Sequence, residues 1–269
     1  MSSIVTDQGI VHYETYGSGR PVLLLHGWLG SWALWRDTIQ ALGKHFRTYA
    51  LDFWGFGESG DKRESFAVND FIDLVHQFMD RLGIVKAPLV GHSMGGTVSL
   101  GVALKYPDIV HKVAVIGSPI HGASLSPLLK LLGNPFVGSV VRGRVGYPMF
   151  KIGMRAYAPF MAKDAVGVWK MLIRDTDQTT AQSFFESIGT LRQTDLRPRL
   201  GEVRVPVLGI YGKKDVIVNP NQHAVLAAGV PHAQIELRPD SGHFTMLDEP
   251  EFFINAVRDF LLKNHNAGG

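Results

Sequence analysis

One serine in this chain stands in a pattern that could make it a nucleophile. Gly91-His92-Ser93-Met94-Gly95 follows the apolar run Ala87–Val90 and precedes a helix-compatible segment, an order that predicts a strand, a sharp turn and a helix. A serine in such a turn has a strained backbone that aims its hydroxyl outward, and flanking side chains would collide with the strand and helix, which favours glycine there. The turn also leaves the Met94 N–H at the start of the helix, where it could bind an anion.

The pentapeptide alone is a weak signal in a chain with 30 glycines, because three fixed positions recur by chance. The alternative interpretation is an ordinary glycine-rich connection between a strand and a helix. A serine hydroxyl is a poor nucleophile unless a base removes its proton, and that base needs a carboxylate that orients it. The hypothesis therefore depends on partners elsewhere in the chain.

The elements that would position these partners alternate along the chain. A hairpin is predicted over residues 4–16, and apolar runs predict strands at 22–25, 47–51, 87–90, 112–116, 203–211 and 233–237, with helical periodicity between most of them. Val22–Leu25 is continuously apolar, which is typical of a strand buried on both faces of a parallel sheet. The pattern predicts an α/β fold built by right-handed crossovers.

This alternation stops between residues 120 and 199. Helical patterns occupy 125–132, 148–161, 165–175 and 181–191, without a clear strand. We therefore predict a core domain of residues 1–119 and 200–269, with residues 120–199 inserted as a helical lobe. Residues 120–200 carry eleven Lys or Arg and five Asp or Glu, but the charges are scattered, which favours a solvated helical face over a surface for nucleic acid or lipid.

Composition narrows the class of protein. A hydrophobic content of 45% with 19% charged residues is typical of a soluble globular protein. The absence of cysteine excludes disulfides, thiolate catalysis and cysteine-ligated metals, and fits a reducing cytoplasm. Residues 1–7 do not resemble a secretory signal, and no apolar run approaches the roughly 20 residues that cross a bilayer. We predict a cytoplasmic protein.

Loops at the carboxyl ends of parallel strands meet at one edge of the sheet and form the site. Of eleven histidines, His243 is the best base, because it follows the last strand in a glycine-containing loop. His92 belongs to the turn itself and should point away from the hydroxyl, while a histidine at the position of His26 more often braces loops.

Two acids compete to orient His243. Asp52 ends its strand in a loop that leads away from Ser93, and its ordinary role would be to bind neighbouring backbone. Asp215 follows the penultimate strand, beside the strand that delivers His243. Asp215 is therefore preferred, and Ser93, Asp215 and His243 are the predicted catalytic residues.

The chain order Ser93, Asp215, His243 is that of the α/β-hydrolases, and the sequence resembles this superfamily, particularly its cap-bearing esterase-like branch. The resemblance runs from about residue 10 to residue 262 through five ordered motifs. They are His26-Gly27-Trp28, the D-x-x-G-x-G-x-S segment 52–59, Gly91–Gly96, the G-x-x-D segment 212–215, and Gly242-His243.

The resemblance implies an eight-stranded sheet flanked by helices with one antiparallel strand near its start, and residues 120–199 as a cap. It implies an oxyanion hole made by the backbone N–H groups of Trp28 and Met94. The expected reaction is acyl transfer, in which Ser93 forms an acyl-enzyme that water releases. We expect small to medium apolar carboxylic esters, or related carbonyl compounds, as substrates, and no cofactor, metal or nucleic acid.

Serine at position 93 argues against the haloalkane dehalogenase and epoxide hydrolase branches, which use aspartate there. Three alternatives stay open: hydrolysis of carbon–carbon bonds in diketone-type ring-cleavage products, a perhydrolase or haloperoxidase-like activity suggested by Leu25–Leu29, and a slow-turnover receptor for a small molecule. The substrate-binding residues and the oligomeric state are open as well. Seven lobe residues could line an apolar pocket, although a lobe core explains most of them: Phe136, Phe150, Met154, Tyr157, Phe160, Met161 and Trp169.

Overall fold

One sheet organises the part of the chain that the computed structural model describes, namely residues 2–7, 9–60, 65–134, 136–137, 146–157 and 161–263. Its eight strands follow the order β1-β2-β4-β3-β5-β6-β7-β8. The strands are β1 Ser2–Thr6, β2 Gly9–Tyr16, β3 Pro21–Leu25, β4 Arg47–Leu51, β5 Ala87–His92, β6 Val110–Ile116, β7 Val207–Gly212 and β8 Gln234–Arg238. The predicted α/β class and the hairpin at the start of the chain are confirmed.

Strand β2 runs against both of its neighbours, β1 and β4. The pairs from β4 to β8 are all parallel. The expected mostly parallel sheet with one antiparallel strand near its start is therefore confirmed. Because β3 to β8 run in one direction, the loops that follow them meet at one edge of the sheet.

Helices flank the sheet. In the described residues they are α1 Arg36–Leu42, α2 Val68–Arg81, α3 Met94–Lys105, α4 Pro127–Leu132, α5 Gly146–Tyr157, α6 Ala165–Asp177, α7 Ala181–Gln193, α8 Gln222–Gly229, α9 Thr245–Asp248 and α10 Pro250–Leu262. None of them is long and apolar enough to cross a membrane.

The centre of the sheet is covered on both faces. Val22–Leu25 is fully buried, as the unbroken apolar run predicts for a central parallel strand. Helix α3 is buried at every position from Met94 to Leu104, because its sequence is apolar or small all round. The turn that carries Ser93 is thus held between a buried strand and a buried helix.

Several element boundaries differ from those that the sequence predicts. Ser31 caps a 3-10 turn, Trp32–Trp35, before α1 begins. Strand β7 begins at Val207 rather than at residue 203, because a 3-10 segment extends to Glu202 and Pro206 lacks the N–H that a ladder needs. These shifts do not alter the order of the elements.

The stretch between β6 and β7 is helical, as predicted. Helices α4 to α7 lie in it, and apart from isolated bridges at His121 and Leu125 the described residues of this stretch form no strand. Helix α5 begins at Gly146, two residues before the predicted helix 148–161, and residues 158–160 of that prediction lie outside the described residues. Arg142 and Arg144, two of the scattered basic residues, lie outside the described residues.

Candidate active site

Ser93 occupies the turn between β5 and α3 with φ +52° and ψ −119°. A non-glycine residue adopts this region only under strain that the surrounding structure must hold. A methyl group on Gly91 would overlap the Gly95 carbonyl, and one on Gly95 would overlap the Leu25 carbonyl. The steric reason for glycine on both sides of Ser93 is therefore present in the structure.

His243 and Asp215 lie in the loops that follow β8 and β7. The His243 Nδ1–H donates to Asp215 Oδ2 at 2.7 Å. The other carboxylate oxygen, Oδ1, accepts from the N–H groups of Ile217 and Val218 at 2.8 and 2.9 Å. Both side chains are buried. The carboxylate is held from two sides, and Nδ1 is the ring nitrogen of His243 that faces it.

Asp52, the competing acid, faces other groups. Its carboxylate accepts from His12 Nδ1 at 2.9 Å, from the Trp32 N–H at 2.6 Å and from the Glu58 N–H at 2.9 Å. It is fully buried and holds the loops after β3 and β4. The structure therefore pairs Asp215, and not Asp52, with His243.

No hydrogen bond within the described ranges uses the Ser93 hydroxyl, so none joins it to His243. Its N–H donates to the Ile116 carbonyl at 2.8 Å, which ties the turn to the strand that precedes Gly117. A Cβ on Gly117 would lie 3.2 Å from His243 Nδ1. Catalytic hydrogen bonds are often long or poorly aligned in ligand-free enzymes.

His92 has a contact that sequence reasoning missed. Its Nε2–H donates to the main-chain carbonyl of His243 at 3.0 Å, and the two imidazole rings are 4.7 Å apart. Burial and the neighbouring His243 hold the pKa of His92 well below its usual range, so the ring is a neutral donor. Through this bond the His92 side chain supports the backbone of the candidate base.

The loop after β3 presents the predicted oxyanion donor Trp28. Within the described part of the chain, the N–H groups of Trp28 and Met94 donate to no other group, so both are available to an anion. A Cβ on Gly27 would lie 3.0 Å from the Ser93 Cβ, and the absence of that carbon lets this loop approach Ser93. His26 braces the loop: its Nδ1–H donates to the Gly27 carbonyl at 2.7 Å.

Two contacts join the helical stretch between β6 and β7 to the loop after β3. The Trp28 indole N–H donates to the Phe184 carbonyl at 3.0 Å, and the two rings are 4.4 Å apart. Ser31 Oγ donates to the Asp175 carboxylate. Neither contact has a local sequence signal, since the partners are more than 140 residues apart.

A small cavity of about 30 Å³ is bordered by the loop after β3 and by His243. A larger cavity, of about 330 Å³, does not border that loop. Met161 borders both. Among the other predicted pocket residues, Tyr157 is half-buried, whereas Phe136 and Trp169 are 77% and 46% exposed. The side chains of Phe150, Met154 and Phe160 lie outside the described residues.

No three His, Asp or Glu of the described residues are grouped so as to hold a metal ion.

Known proteins resemble this chain over nearly its whole length. Residues 20–140 match a family model described as alpha/beta hydrolase fold. The chain is 26% identical to the RutD protein of Serratia proteamaculans, which is named as a carbamate hydrolase, over 96% of this chain and 98% of that protein. It is 27% identical to a pimeloyl-[acyl-carrier protein] methyl ester esterase of Vibrio vulnificus, over 93% and 97%. A thermophilic esterase from Thermogutta terrifontis has a similar structure, with a TM-score of 0.84 and 25% identity over 98% and 99% of the chains.

Proposed function

Since this chain is a hydrolase of the α/β-hydrolase superfamily, we propose that it is a serine hydrolase that cleaves carboxylic esters of small to medium apolar substrates. The observation that carries the proposal is the 2.7 Å hydrogen bond between His243 and Asp215, at the sheet edge where Ser93 stands in its strained turn. Esterase-named relatives support the ester as the bond that is cleaved.

In the proposed mechanism, His243 Nε2 takes the Ser93 proton while Ser93 Oγ bonds to the ester carbonyl carbon. The N–H groups of Trp28 and Met94 bind the oxyanion, and Asp215 stabilises the imidazolium. The bond from the carbonyl carbon to the alcohol oxygen then breaks, and His243 returns the proton to that oxygen. Water, activated by the same imidazole, attacks the acyl-enzyme and releases the acid.

The proposal requires Ser93 Oγ to come within hydrogen-bond distance of His243 Nε2. Rotation about the Ser93 Cα–Cβ bond moves the hydroxyl and leaves the backbone in place. The backbone is held by β5, by α3 and by the hydrogen bond from the Ser93 N–H to the Ile116 carbonyl. The Asp215–His243 pair is already formed, so the bond from the Ser93 hydroxyl to His243 Nε2 is the one contact that the proposal adds.

We also propose that residues 120–199 act as a cap over this site and that the protein works in the cytoplasm. Support for the cap comes from the bonds of Phe184 and Asp175 to the loop after β3, and from Met161, whose carbonyl accepts from the His243 N–H at 3.2 Å. The absence of cysteine fits the proposed location.

The decisive experiment compares wild type with Ser93→Ala on p-nitrophenyl acetate and on a diketone substrate. We expect multiple turnovers on the ester and a loss of about 10⁵- to 10⁶-fold in kcat for Ser93→Ala. Ser99→Ala is the matched control and should keep most of the activity, because Ser99 is a buried serine of α3, the helix that follows Ser93, and its hydroxyl bonds the Gly95 carbonyl.

Other results would point elsewhere. Full activity of Ser93→Ala would refute the mechanism. Faster turnover of the diketone than of the ester would favour carbon–carbon bond hydrolysis, and a single stoichiometric burst without turnover would favour the receptor.

A further inference from the structure

One carboxylate joins the base loop, which is the connection between β8 and α9 that carries His243, to the segment that precedes α6. Asp248 ends helix α9, and its Oδ2 accepts from the Gly242 N–H at 2.7 Å. Its Oδ1 accepts from the N–H groups of Lys163 and Asp164 at 2.7 and 3.3 Å. The two oxygens of one side chain therefore bind two segments that are remote in sequence.

The same two segments meet at a second point. The Met161 carbonyl accepts from the His243 N–H at 3.2 Å. A Cβ on Gly242 would lie 2.9 Å from that carbonyl oxygen and 3.4 Å from the Cα of Ala162, so this close approach needs a residue without a side chain. Successive N–H groups of the base loop are thus bonded to Asp248 and to the segment before α6.

That segment leads directly into helix α6. Asp164 caps the helix, since its side chain accepts from the Gly167 N–H at 2.9 Å. Further along α6, Asp175 accepts from Ser31 in the loop after β3. A helical rise of about 1.5 Å per residue separates Asp164 from Asp175 by roughly 16 Å. One helix is therefore bonded near its start to the base loop and near its end to the loop of the proposed oxyanion donor.

The buried face of α6 lies against the site between these two bonds. Val168, Met171 and Leu172 are buried. Met171 and Leu172 border the small cavity that His243 and the loop after β3 also border. A rigid helix that is bonded to both loops and packed between them fixes the separation of those loops.

We propose that Asp248 is a positioning residue for His243, and that α6 fixes the base loop and the loop after β3 relative to each other. This inference rests on the proposed serine hydrolysis. In that reaction the imidazole must reach the Ser93 hydroxyl while the oxyanion lies at the N–H groups of Trp28 and Met94. An error in the spacing of the two loops therefore lowers the rate of the chemical step more than it weakens substrate binding.

Asp248→Asn breaks the bridge with little change in shape. Asparagine has one acceptor oxygen, so its NH₂ group faces a backbone N–H on one side, whichever way the amide lies. We expect kcat on p-nitrophenyl acetate to fall by about ten- to 100-fold, and KM to change by less than about threefold, since a misplacement of about 1 Å can cost 10²-fold. A kcat within about twofold of wild type would overturn the proposal.

Two further variants separate this effect from a general loss of stability. Asp240→Asn changes an acid of the base loop whose carboxylate pairs with the exposed Lys214 at 2.8 Å, and its kcat should stay within about twofold of wild type. Asp248→Glu keeps both acceptor oxygens and should retain more of kcat than Asp248→Asn. A larger loss for Asp248→Glu, or an equal loss for Asp240→Asn, would overturn the assignment to the Asp248 carboxylate.

The role of α6 is tested by combining Asp248→Asn with Ser31→Ala. The two side chains bind different parts of the chain around α6, and independent changes at separate sites multiply in their effect on a rate. If α6 joins the two loops, release at one end makes the other bond less effective. The double variant should then keep at least about twice the kcat that the product of the single effects predicts. Simple multiplication would overturn the role of α6.

Hydrogen exchange separates this inference from the proposed function, because it needs no turnover. In Asp248→Asn, the amides of residues 161–164 and of residues 241–244 should both exchange faster by about tenfold or more, whereas Asp240→Asn should leave both segments as in wild type. A wild type that hydrolyses no ester would refute the proposed function and leave this test intact. Unchanged exchange in either segment of Asp248→Asn would overturn the inference even if the ester is hydrolysed.

Discussion

Ser31 Oγ donates a 2.9 Å hydrogen bond to the carboxylate of Asp175, which lies 144 residues further along the chain. Arg174 pairs with the same carboxylate through Nε at 2.6 Å and Nη2 at 3.0 Å. Burial raises the pKa of Asp175 in spite of this guanidinium. Helix α6 is therefore bonded to the loop that presents the Trp28 N–H, and the helical segment helps to fix the position of a proposed oxyanion donor.

Ser31→Ala removes this bond, together with the weaker bonds that the hydroxyl accepts from the Ala33 N–H and from Arg174, and leaves the Asp175–Arg174 pair intact. A typical hydrogen bond contributes about 0.5–1.5 kcal/mol, so we expect kcat to fall about two- to tenfold. KM should change by less than about twofold, because an oxyanion donor binds the transition state more strongly than the substrate. Steady-state kinetics on p-nitrophenyl acetate measure both constants.

Ser124→Ala is the control for this change, since it also removes a buried hydroxyl, one that bonds the His121 carbonyl and no group of the loop after β3. A rise in KM with kcat unchanged for Ser31→Ala would show that the hydrogen bond between Ser31 and Asp175 affects substrate access and not the position of the Trp28 N–H.

A second prediction concerns Asp215→Asn. Oδ1 of Asp215 accepts from two backbone N–H groups, so the oxygen of an asparagine stays on that side and its NH₂ group faces His243 Nδ1. Nδ1 must then accept, which moves the imidazole proton to Nε2 and removes the base from Ser93. We expect a fall of about 10⁴-fold in kcat with the fold retained, as for the equivalent change in the Ser-His-Asp template.

Asp52→Asn provides the comparison for that variant. It weakens three hydrogen bonds to the loops around His12 and Trp32, so the free energy of unfolding should drop more than the activity does. A larger loss of kcat from Asp52→Asn than from Asp215→Asn, both measured on folded protein, would assign the orienting acid to Asp52.

The sequence predicts those parts of the fold and site that depend on local pattern or strand order. The continuously apolar run Val22–Leu25 predicts a central strand, and Asp215 is expected beside His243 because their strands are neighbours in a parallel sheet. The bond from Ser31 to Asp175 and that from His92 to the His243 carbonyl join positions 144 and 151 residues apart. Packing decides such contacts, and no periodicity or spacing in the chain encodes them.

Two buried histidines make stability depend on pH. Burial lowers the pKa of His26 and of His92, so each stays neutral in the folded protein while the unfolded chain takes up a proton below about pH 6.5. The free energy of unfolding therefore falls as pH drops below that value, by up to about 1.4 kcal/mol per unit for each histidine. His12 acts in the opposite sense: burial lowers its pKa, but the Asp52 carboxylate outweighs burial and raises it, so this stabilisation is complete at low pH and is lost as pH rises.

His92→Gln isolates one of these contributions. A glutamine NH₂ can still donate to the His243 carbonyl but does not titrate. Urea unfolding at pH 5.5, 6.5 and 7.5 should give a shallower pH dependence than wild type, by up to about 1.4 kcal/mol per pH unit. His45→Gln, at an exposed position, controls for the loss of a histidine as such. An unchanged slope for His92→Gln would mean that His92 is protonated in the folded protein.

The last prediction concerns Lys112, a lysine that is only 2% exposed. Its Nζ donates to the Phe260 and Leu261 carbonyls at 2.8 and 3.2 Å and so caps the end of α10. Burial lowers the pKa of this ammonium, and the carbonyls at a helix C-terminus favour a cation. Lys112→Met keeps the length and the apolar stem but removes the charged donor from the end of α10.

We expect Lys112→Met to lower the free energy of unfolding by about 1.5–3 kcal/mol, the usual range for hydrogen bonds to a charged group. Hydrogen exchange should speed up first at the end of α10, because that helix loses its cap. Lys86→Met, an exposed lysine before β5, is the matched control and should change stability by less than about 0.5 kcal/mol. Stability equal to wild type for Lys112→Met would mean that the methionine side chain compensates fully by packing, as happens when a buried charge is replaced by apolar atoms of similar shape.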